Sequence, residues 1–317
     1  MKIVRRIRLR IALWGLPLLF LSLFLVASAD EKNIDARVQQ WITDLGHRRF
    51  VIRQTAYEHL VKLGKPAFPQ LEQIAKTGTS EQRYRAREII RVVHWRTLHS
   101  GLVALSRQKD AQLDLEEGMW LISLIVDPQV QREPLQRQLD QMAKDVRARL
   151  GTQVDPARAE PGVVVDALVT VLKEKYQLAG AHSNYDHPDN SSLDRVLSKK
   201  KGLPIVLSHI AVSVADRLKL PIVGCPLPGR YMIKYDGARA PAGSPKDDII
   251  IDPFGDWKIL TREGILEVIP RFDPESGLVP SSRHEVISRM LRNLAADFEA
   301  TGQKEKAAET MKLLLLF

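Results

Sequence analysis

The chain has 317 residues, 44% hydrophobic and 27% charged, which are ordinary globular values and exclude wholesale disorder. That length holds two modest domains, or one domain with extensions. The formal charge of +9 belongs largely to the N-terminus, where Lys2, Arg5, Arg6, Arg8 and Arg10 precede an apolar run from Ile11 to Val26 that exits through Ala27-Ser28-Ala29. A basic start, an apolar centre and a small-x-small exit define a secretory signal over residues 1–29, with an uncleaved anchor as the alternative. The run is short for a membrane span and carries Pro17 and Ser22. Without it the net charge is +4, too weak and dispersed to argue for nucleic acid. The expected protein is exported, periplasmic or extracellular, and touches a membrane only through an uncleaved signal. Cys225 is the single cysteine, so no intramolecular disulfide is available, and its apolar neighbours favour a buried thiol.

Residues 30–100 read as helices. Phe50, Arg53, Ala56, Leu60 and Leu63 step by three and four, placing the apolar members on one face. Gly64 stops that helix and Pro66 can begin another. Leu71 and Ile74 continue an apolar face, and Ala86, Ile89, Ile90 and Val93 form a third. The pattern Arg53-x-x-Ala56-x-Glu58-x-Leu60 recurs thirty residues on as Arg83-x-x-Ala86-x-Glu88-x-Ile90. The layout resembles HEAT-like helical pairs, with an ordinary helical extension as the alternative, and either would pack on the domain behind it or present a binding face.

Residues 101–282 read as an α+β domain. Two helices between 113 and 150 carry core faces (Leu115, Met119, Leu121, Ile122; then Leu135, Leu139, Met142, Val146). Val163 to Tyr176 is helical, and Gly180 to Ser192 is a loop rich in Asn, Asp, Ser and Pro. A short helix at Leu193–Leu197 precedes a longer one opened by Pro204. Strands follow at Ile222–Cys225, Tyr231–Tyr235 and Ile249–Asp252. Residues 283–317 read as a helical pair, Val286–Thr301 and Lys304–Leu316, turned at Gly302. Met290, Leu294 and Phe298 would face Ala307, Ala308 and Met311, an arrangement that resembles one tetratricopeptide unit. The apolar stretch Leu313 to Phe317 needs a cover.

A run of motifs from Leu115-Glu116-Glu117-Gly118 to about Asn293 carries a wider resemblance. It includes Asn184-Tyr185, Pro188-Asp189-Asn190-Ser191, Gly202-Leu203-Pro204-Ile205, Pro228-Gly229 and Ile251-Asp252-Pro253-Phe254. In this order they resemble the transglutaminase-like superfamily, in its SirB-type branch. The resemblance implies a transglutaminase-like (papain-like) core with helices and an antiparallel sheet. It also implies an active site made of a Cys at a helix start, a His on one strand and an Asp on the next. There the helix N-terminus lowers the thiol pKa, the His takes its proton and the carboxylate orients the His. Here the Cys position falls at Pro204 or Ile205, neither of them a nucleophile, with Ile205 read as its occupant; Arg230 stands at the His position, and Asp252 alone remains. Arginine accepts no proton at biological pH.

The sequence offers three replacements. Ser208 is followed by His209, but adjacent helical residues project about 100° apart and do not face each other. Cys225 lies on a strand, away from a helix dipole. His182, Asp186, His187 and Asp189 cluster in a turn-forming segment whose spacing fits no defined metal pattern. No metal and no cofactor is therefore expected. Asn184, Tyr185, Asn190, Ser191, Gly202, Pro204, Gly229 and Asp252 form a signature that accounts for a fold better than for a reaction. The expected protein is a non-catalytic binder of a protein or peptide partner, the alternative an amide- or peptide-bond hydrolase or transferase with an unrecognised nucleophile. If Arg230 and Asp252 keep the places of His and Asp, they should form a direct ion pair.

Overall fold

The computed structural model describes residues 35–151, 155–244, 246–270, 272 and 278–317; the expected signal segment lies outside the described residues. Among them no helix is long and apolar enough to cross a membrane. The chain divides into two compact units, one ending at Thr97 and one spanning Leu98–Phe317.

Among its described residues the first unit holds helices joined by short turns and no strand: α1 over 35–44, α2 (Phe50–Leu63), α3 (Phe68–Thr77) and the start of α4 (Ser80–Ser106). Its core gathers Val38, Leu45, Ala56, Leu60, Leu71, Ala86 and Ile89. Gly64, at φ 77°, ends α2, and Pro69 sits in the first turn of α3, where a missing N–H costs nothing. One expected core position fails. Phe50 opens α2 and is exposed, and the guanidinium groups of Arg53 and Arg85 lie over its ring at 5.8 and 5.9 Å. The recurring arginines have a common local role. Arg53 donates to the carbonyls of His47 and Arg48 (2.8 and 3.0 Å), and Arg83 donates to Gly78 O (2.9 Å). Each thus ties the start of its helix to the loop before it.

In the second unit, α5 (Leu115–Val126), α6 (Arg132–Leu150) and α7 (Pro161–Val169) supply the helical layer. Asp114 caps α5 by accepting from Glu117 N at 3.0 Å. A π-helical stretch, Thr170–Lys175, extends α7. β1 (Ala179–Gly180) pairs in parallel with β2 (Lys201–Gly202), and α8 (Leu193–Lys199) lies between them in sequence. α9 (Pro204–Arg217) is buried along nearly its whole length and packs on the sheet.

That sheet is an antiparallel meander of β3 (Ile222–Leu227), β4 (Arg230–Tyr235), β5 (Ile249–Asp252) and β6 (Lys258–Leu260). Alternation along β4 sends Tyr231 towards His209 of α9 and Met232 to the opposite face. Met232 joins Leu227, Ile250, Ile265 and Ile269 in a second small core, the last two contributed by α10 (Arg262–Val268) and the residue after it.

α11 (Arg283–Ala300) begins with a full capping box between Ser282 and Glu285, and α12 (Lys304–Leu314) returns after Gly302 at φ 76°. Two details of this pair differ from expectation. The inner face of α12 is Ala307, Thr310 and Leu313, while Ala308 and Met311 are exposed. The terminal apolar stretch is covered only in part, because Leu313 is buried and Leu315 is 84% exposed.

Candidate functional site

Three elements bring the expected positions together. Pro204 starts α9, so that Ile205 sits in its first turn. Gly229 turns β3 into β4 at φ 70°, a backbone setting glycine adopts without strain. Arg230 is then the first residue of β4, and Asp252 the last of β5. Arg230 Nη1 stands 3.1 Å from Asp252 Oδ2, which gives the ion pair expected of the two positions. The other carboxylate oxygen accepts from the amides of Phe254 (3.1 Å) and Gly255 (2.9 Å). Buried Asp252 is therefore satisfied on both sides.

The turn after β5 is held from outside. Asp256 and Trp257 both have positive φ (60° and 58°), a costly setting for side chains of this kind. Burial of Trp257, whose indole N–H donates to Leu178 O at 2.7 Å, and the Lys173–Asp256 ion pair at 2.9 Å hold that turn in place. Phe254 is thereby presented to two rings, His182 at 4.5 Å and Tyr185 at 5.7 Å between centroids.

The signature residues build this rim. Asn190 donates to the carbonyls of Asn184 (2.6 Å) and Tyr185 (3.1 Å), and its own carbonyl accepts from Leu203 N (2.9 Å) next to the start of α9. Ser191 donates to Asp297 of α11 at 2.7 Å. A Cβ on Gly202 would stand 2.7 Å from the Val196 side chain, so only glycine lets β2 lie this close to α8. In the turn, His187 Nδ1 accepts from Asp189 N at 3.2 Å, and Asp189 pairs with Lys199. Among the described residues no group of three or more His, Cys, Asp or Glu is placed to hold a metal ion.

The two weak nucleophile candidates lie apart from the cleft. Ser208 is fully buried and reaches only Tyr231 O, at 3.5 Å. His209 does not serve it: His209 Nε2 lies 2.9 Å from the Tyr231 hydroxyl, and burial pushes the imidazole down to about 3, which keeps it neutral. Cys225 is buried, and burial pushes its thiol up to about 12, far from a thiolate at neutral pH.

Between α9, β4, β5 and α11 lies a cleft with two lobes of about 210 and 220 Å³. Both lobes are lined by Tyr185, Pro204, Gly229 and Arg230; Asp252 and Phe254 complete the first, Ile205, Tyr231, Arg289 and Asn293 the second. Arg289 and Asn293 were not singled out from the sequence. They are four residues apart on α11, one face of a helix, and the run of motifs that reached Asn293 was the available signal. Arg289 lies over the Tyr231 ring at 5.3 Å and donates to Arg230 O at 2.8 Å.

The family model described as the transglutaminase-like superfamily matches residues 133–292, half of the chain. The chain belongs to the transglutaminase-like superfamily. Its matched region holds every cleft residue named above except Asn293, which follows it directly. A UPF0162 protein of Xylella fastidiosa is 29% identical over 158 residues, covering 45% of this chain and 52% of that one. A UPF0162 protein of Pseudomonas aeruginosa is 25% identical over 175 residues, covering 53% and 58%. Mouse F-box only protein 21 is 26% identical over 152 residues, which cover 48% of this chain and 24% of that protein. This chain thus spans about half the length of the UPF0162 relatives it matches. No solved structure matches it significantly.

Proposed function

We propose that this transglutaminase-like protein is a non-catalytic binding or regulatory module of the SirB-type branch that recognises a protein or peptide partner. The observation that carries the reading is the occupancy of the inherited positions. Ile205 has no nucleophilic atom, and Arg230 is engaged by the carboxylate that would otherwise orient a histidine. An arginine in that place supplies charge and donors, not a proton acceptor. Ser208 and Cys225 offer no replacement, being buried away from the cleft.

The proposed protein is exported to the periplasm or beyond, on the strength of the basic, apolar and small-residue sequence of residues 1–29. A HEAT-like reading of 30–100 is favoured by the equivalent roles of Arg53 and Arg83. That segment holds twelve basic and six acidic residues between 35 and 97, a balance that suits an acidic partner. The pair after residue 283 is proposed as a tetratricopeptide-like cap on the domain. In mouse F-box only protein 21 the matched region is about a quarter of a longer chain, consistent with a domain that serves as one module among others.

The test has two parts. Purified full chain is assayed for hydrolysis or transfer on glutamine-containing peptides and treated with thiol- and serine-reactive probes; no turnover and no stoichiometric native labelling is expected. Turnover lost on labelling of Cys225 or Ser208 would overturn the reading in favour of an amide hydrolase. Affinity capture from the envelope fraction, with N-terminal sequencing of the native protein, is expected to return a partner and a start near Asp30.

A further inference from the structure

We propose that the cleft lobe between α9 and α11 is a binding site for a single carboxylate, as carried by a peptide C-terminus or an acidic side chain. This deepens the binding reading above and rests on it for the kind of molecule that brings the carboxylate.

The argument begins with charge. Arg230 is matched by Asp252. Arg289 has no such match: its one hydrogen bond among the described residues goes to a neutral carbonyl, Arg230 O, and it forms no ion pair there. Stacking over Tyr231 holds its guanidinium at the cleft wall. An arginine held in place, with donors to spare, forms a preorganised fork for a planar carboxylate.

Other donors converge on the same lobe. Tyr185 and Asn293 line it, and the Tyr185 hydroxyl and the Asn293 side-chain amide have no hydrogen-bond partner among the described residues. Ile205 lies in the first turn of α9, and its N–H has no acceptor among the described residues, Leu203 O being taken by Val206 and Leu207. The helix is fourteen residues long, and its N-terminus adds positive potential. Thus Arg289, Tyr185 and Asn293, each able to donate, line a cavity of about 220 Å³ at the start of α9. That volume suits a carboxylate on a short stem.

The charge balance also selects against a dianion. Of the two arginines that line the lobe only Arg289 lacks a carboxylate partner among the described residues, and burial, followed by the carboxylates of Asp297 and Asp186, raises the pKa of the Tyr185 hydroxyl. Two negative charges brought to this lobe would be repelled. The replacement of a catalytic Cys and His by Ile205 and Arg230 then has a physical result: a cleft that holds an acid instead of attacking an amide.

The experiment is calorimetric titration of the full chain in mild detergent with four probes: N-acetyl-dialanine, its C-terminal amide, N-acetyl-glutamate N-methylamide and inorganic phosphate. The free acid is expected to bind at least tenfold more tightly than the amide, and more weakly as salt rises. Preference between the first and third probes distinguishes a chain terminus from an acidic side chain, and binding of either supports the site. Arg289→Gln is expected to reduce acid binding at least tenfold with an unchanged circular-dichroism spectrum. Asp252→Asn keeps an acceptor for Phe254 and Gly255 while removing a negative charge, and is expected to tighten binding severalfold. Equal binding of acid and amide, indifference to Arg289→Gln, or phosphate binding as tight as the acid would overturn the proposal. Failure here leaves a partner bound elsewhere on the protein possible, whereas amide hydrolysis would defeat the non-catalytic reading without touching this one.

Discussion

Arg230 and Asp252 form an ion pair in which the two partners are unequally placed. The aspartate side chain is 6% exposed and the arginine side chain 38%, although 3.1 Å separates their charged atoms. Asp252 also holds two backbone amides, so the carboxylate is the structural partner and the guanidinium the more replaceable one. Asp252→Ala is therefore expected to cost about 3 kcal/mol, since it strands a buried turn. Arg230→Ala is expected to cost about 1 kcal/mol, less than a fully buried pair would suggest, because water can reach the vacated place. Urea unfolding of both variants measures the difference, and equal costs would contradict the asymmetry.

Cys225 should be silent to alkylation in the folded protein. Its thiol is raised to about 12, so the reactive thiolate is scarce at pH 7 to 9, and burial excludes the reagent as well. Iodoacetamide should modify wild type only after denaturation. Ile205→Cys places a thiol in the first turn of α9 beside Arg230, where dipole and charge favour the thiolate. Ile205 is itself buried, so labelling at position 205 should be slow, yet faster than at Cys225 because the thiolate is favoured there. Peptide mass mapping separates the two sites.

Asp297 makes stability depend on pH in an unusual direction. Burial raises its carboxyl from the ordinary value of 3.8 to about 6, against a smaller opposing effect of the hydrogen bond from Ser191. The folded state then holds a proton more tightly than the unfolded state, and this contribution to stability is complete below about pH 4 and lost as pH rises through 6. Asp297→Asn keeps an acceptor for Ser191 and removes the titration. At pH 7 it should stabilise the protein by on the order of 2 kcal/mol, and the advantage should vanish towards pH 4. Melting curves of the two proteins across that range test the sign.

Gly118 lies where α5 meets α11. A Cβ there would stand well inside contact distance of Ile287 Cδ1 and 3.1 Å from Leu105 Cδ2. Gly118→Ala should cost about 1–3 kcal/mol by overpacking. Adding Ile287→Val removes the obstructing methyl and should recover much of the loss, a coupling that helix propensity alone would not produce.

Much of the cleft was legible because its residues punctuate the chain. Pro204 marks a helix start, Gly229 a turn, and β-branched runs mark β4 and β5, while the placing of Arg230 beside Asp252 rested on the resemblance to the transglutaminase-like superfamily. Elements with weaker local signals were missed. β6 is a three-residue strand whose Lys258 and Ile259 are exposed, leaving no hydrophobic alternation to read, and α10 is seven residues long with its start set by a Thr261 cap. Phe50 had the right spacing for a core face, but spacing does not record that a helix's first residue can overhang its neighbours. Arg289 was illegible for another reason. Its role depends on α11 lying beside β4, a tertiary fact without local periodicity.

The position of α11 in the sequence bears on when the cleft can exist. Its residues Arg283, His284 and Asp297 bond to Leu113, Asp110 and Ser191, contacts that span 170, 174 and 106 positions of chain. Closing such loops is slow, because ordering entropy is lost before the distant contacts form. In a polypeptide made from its N-terminus, α5 to β6 emerge first with one wall of the cleft lacking. Arg289 and Asn293 arrive only when α11 folds back, so the cleft matures last and a nascent chain carries no finished site to occupy prematurely.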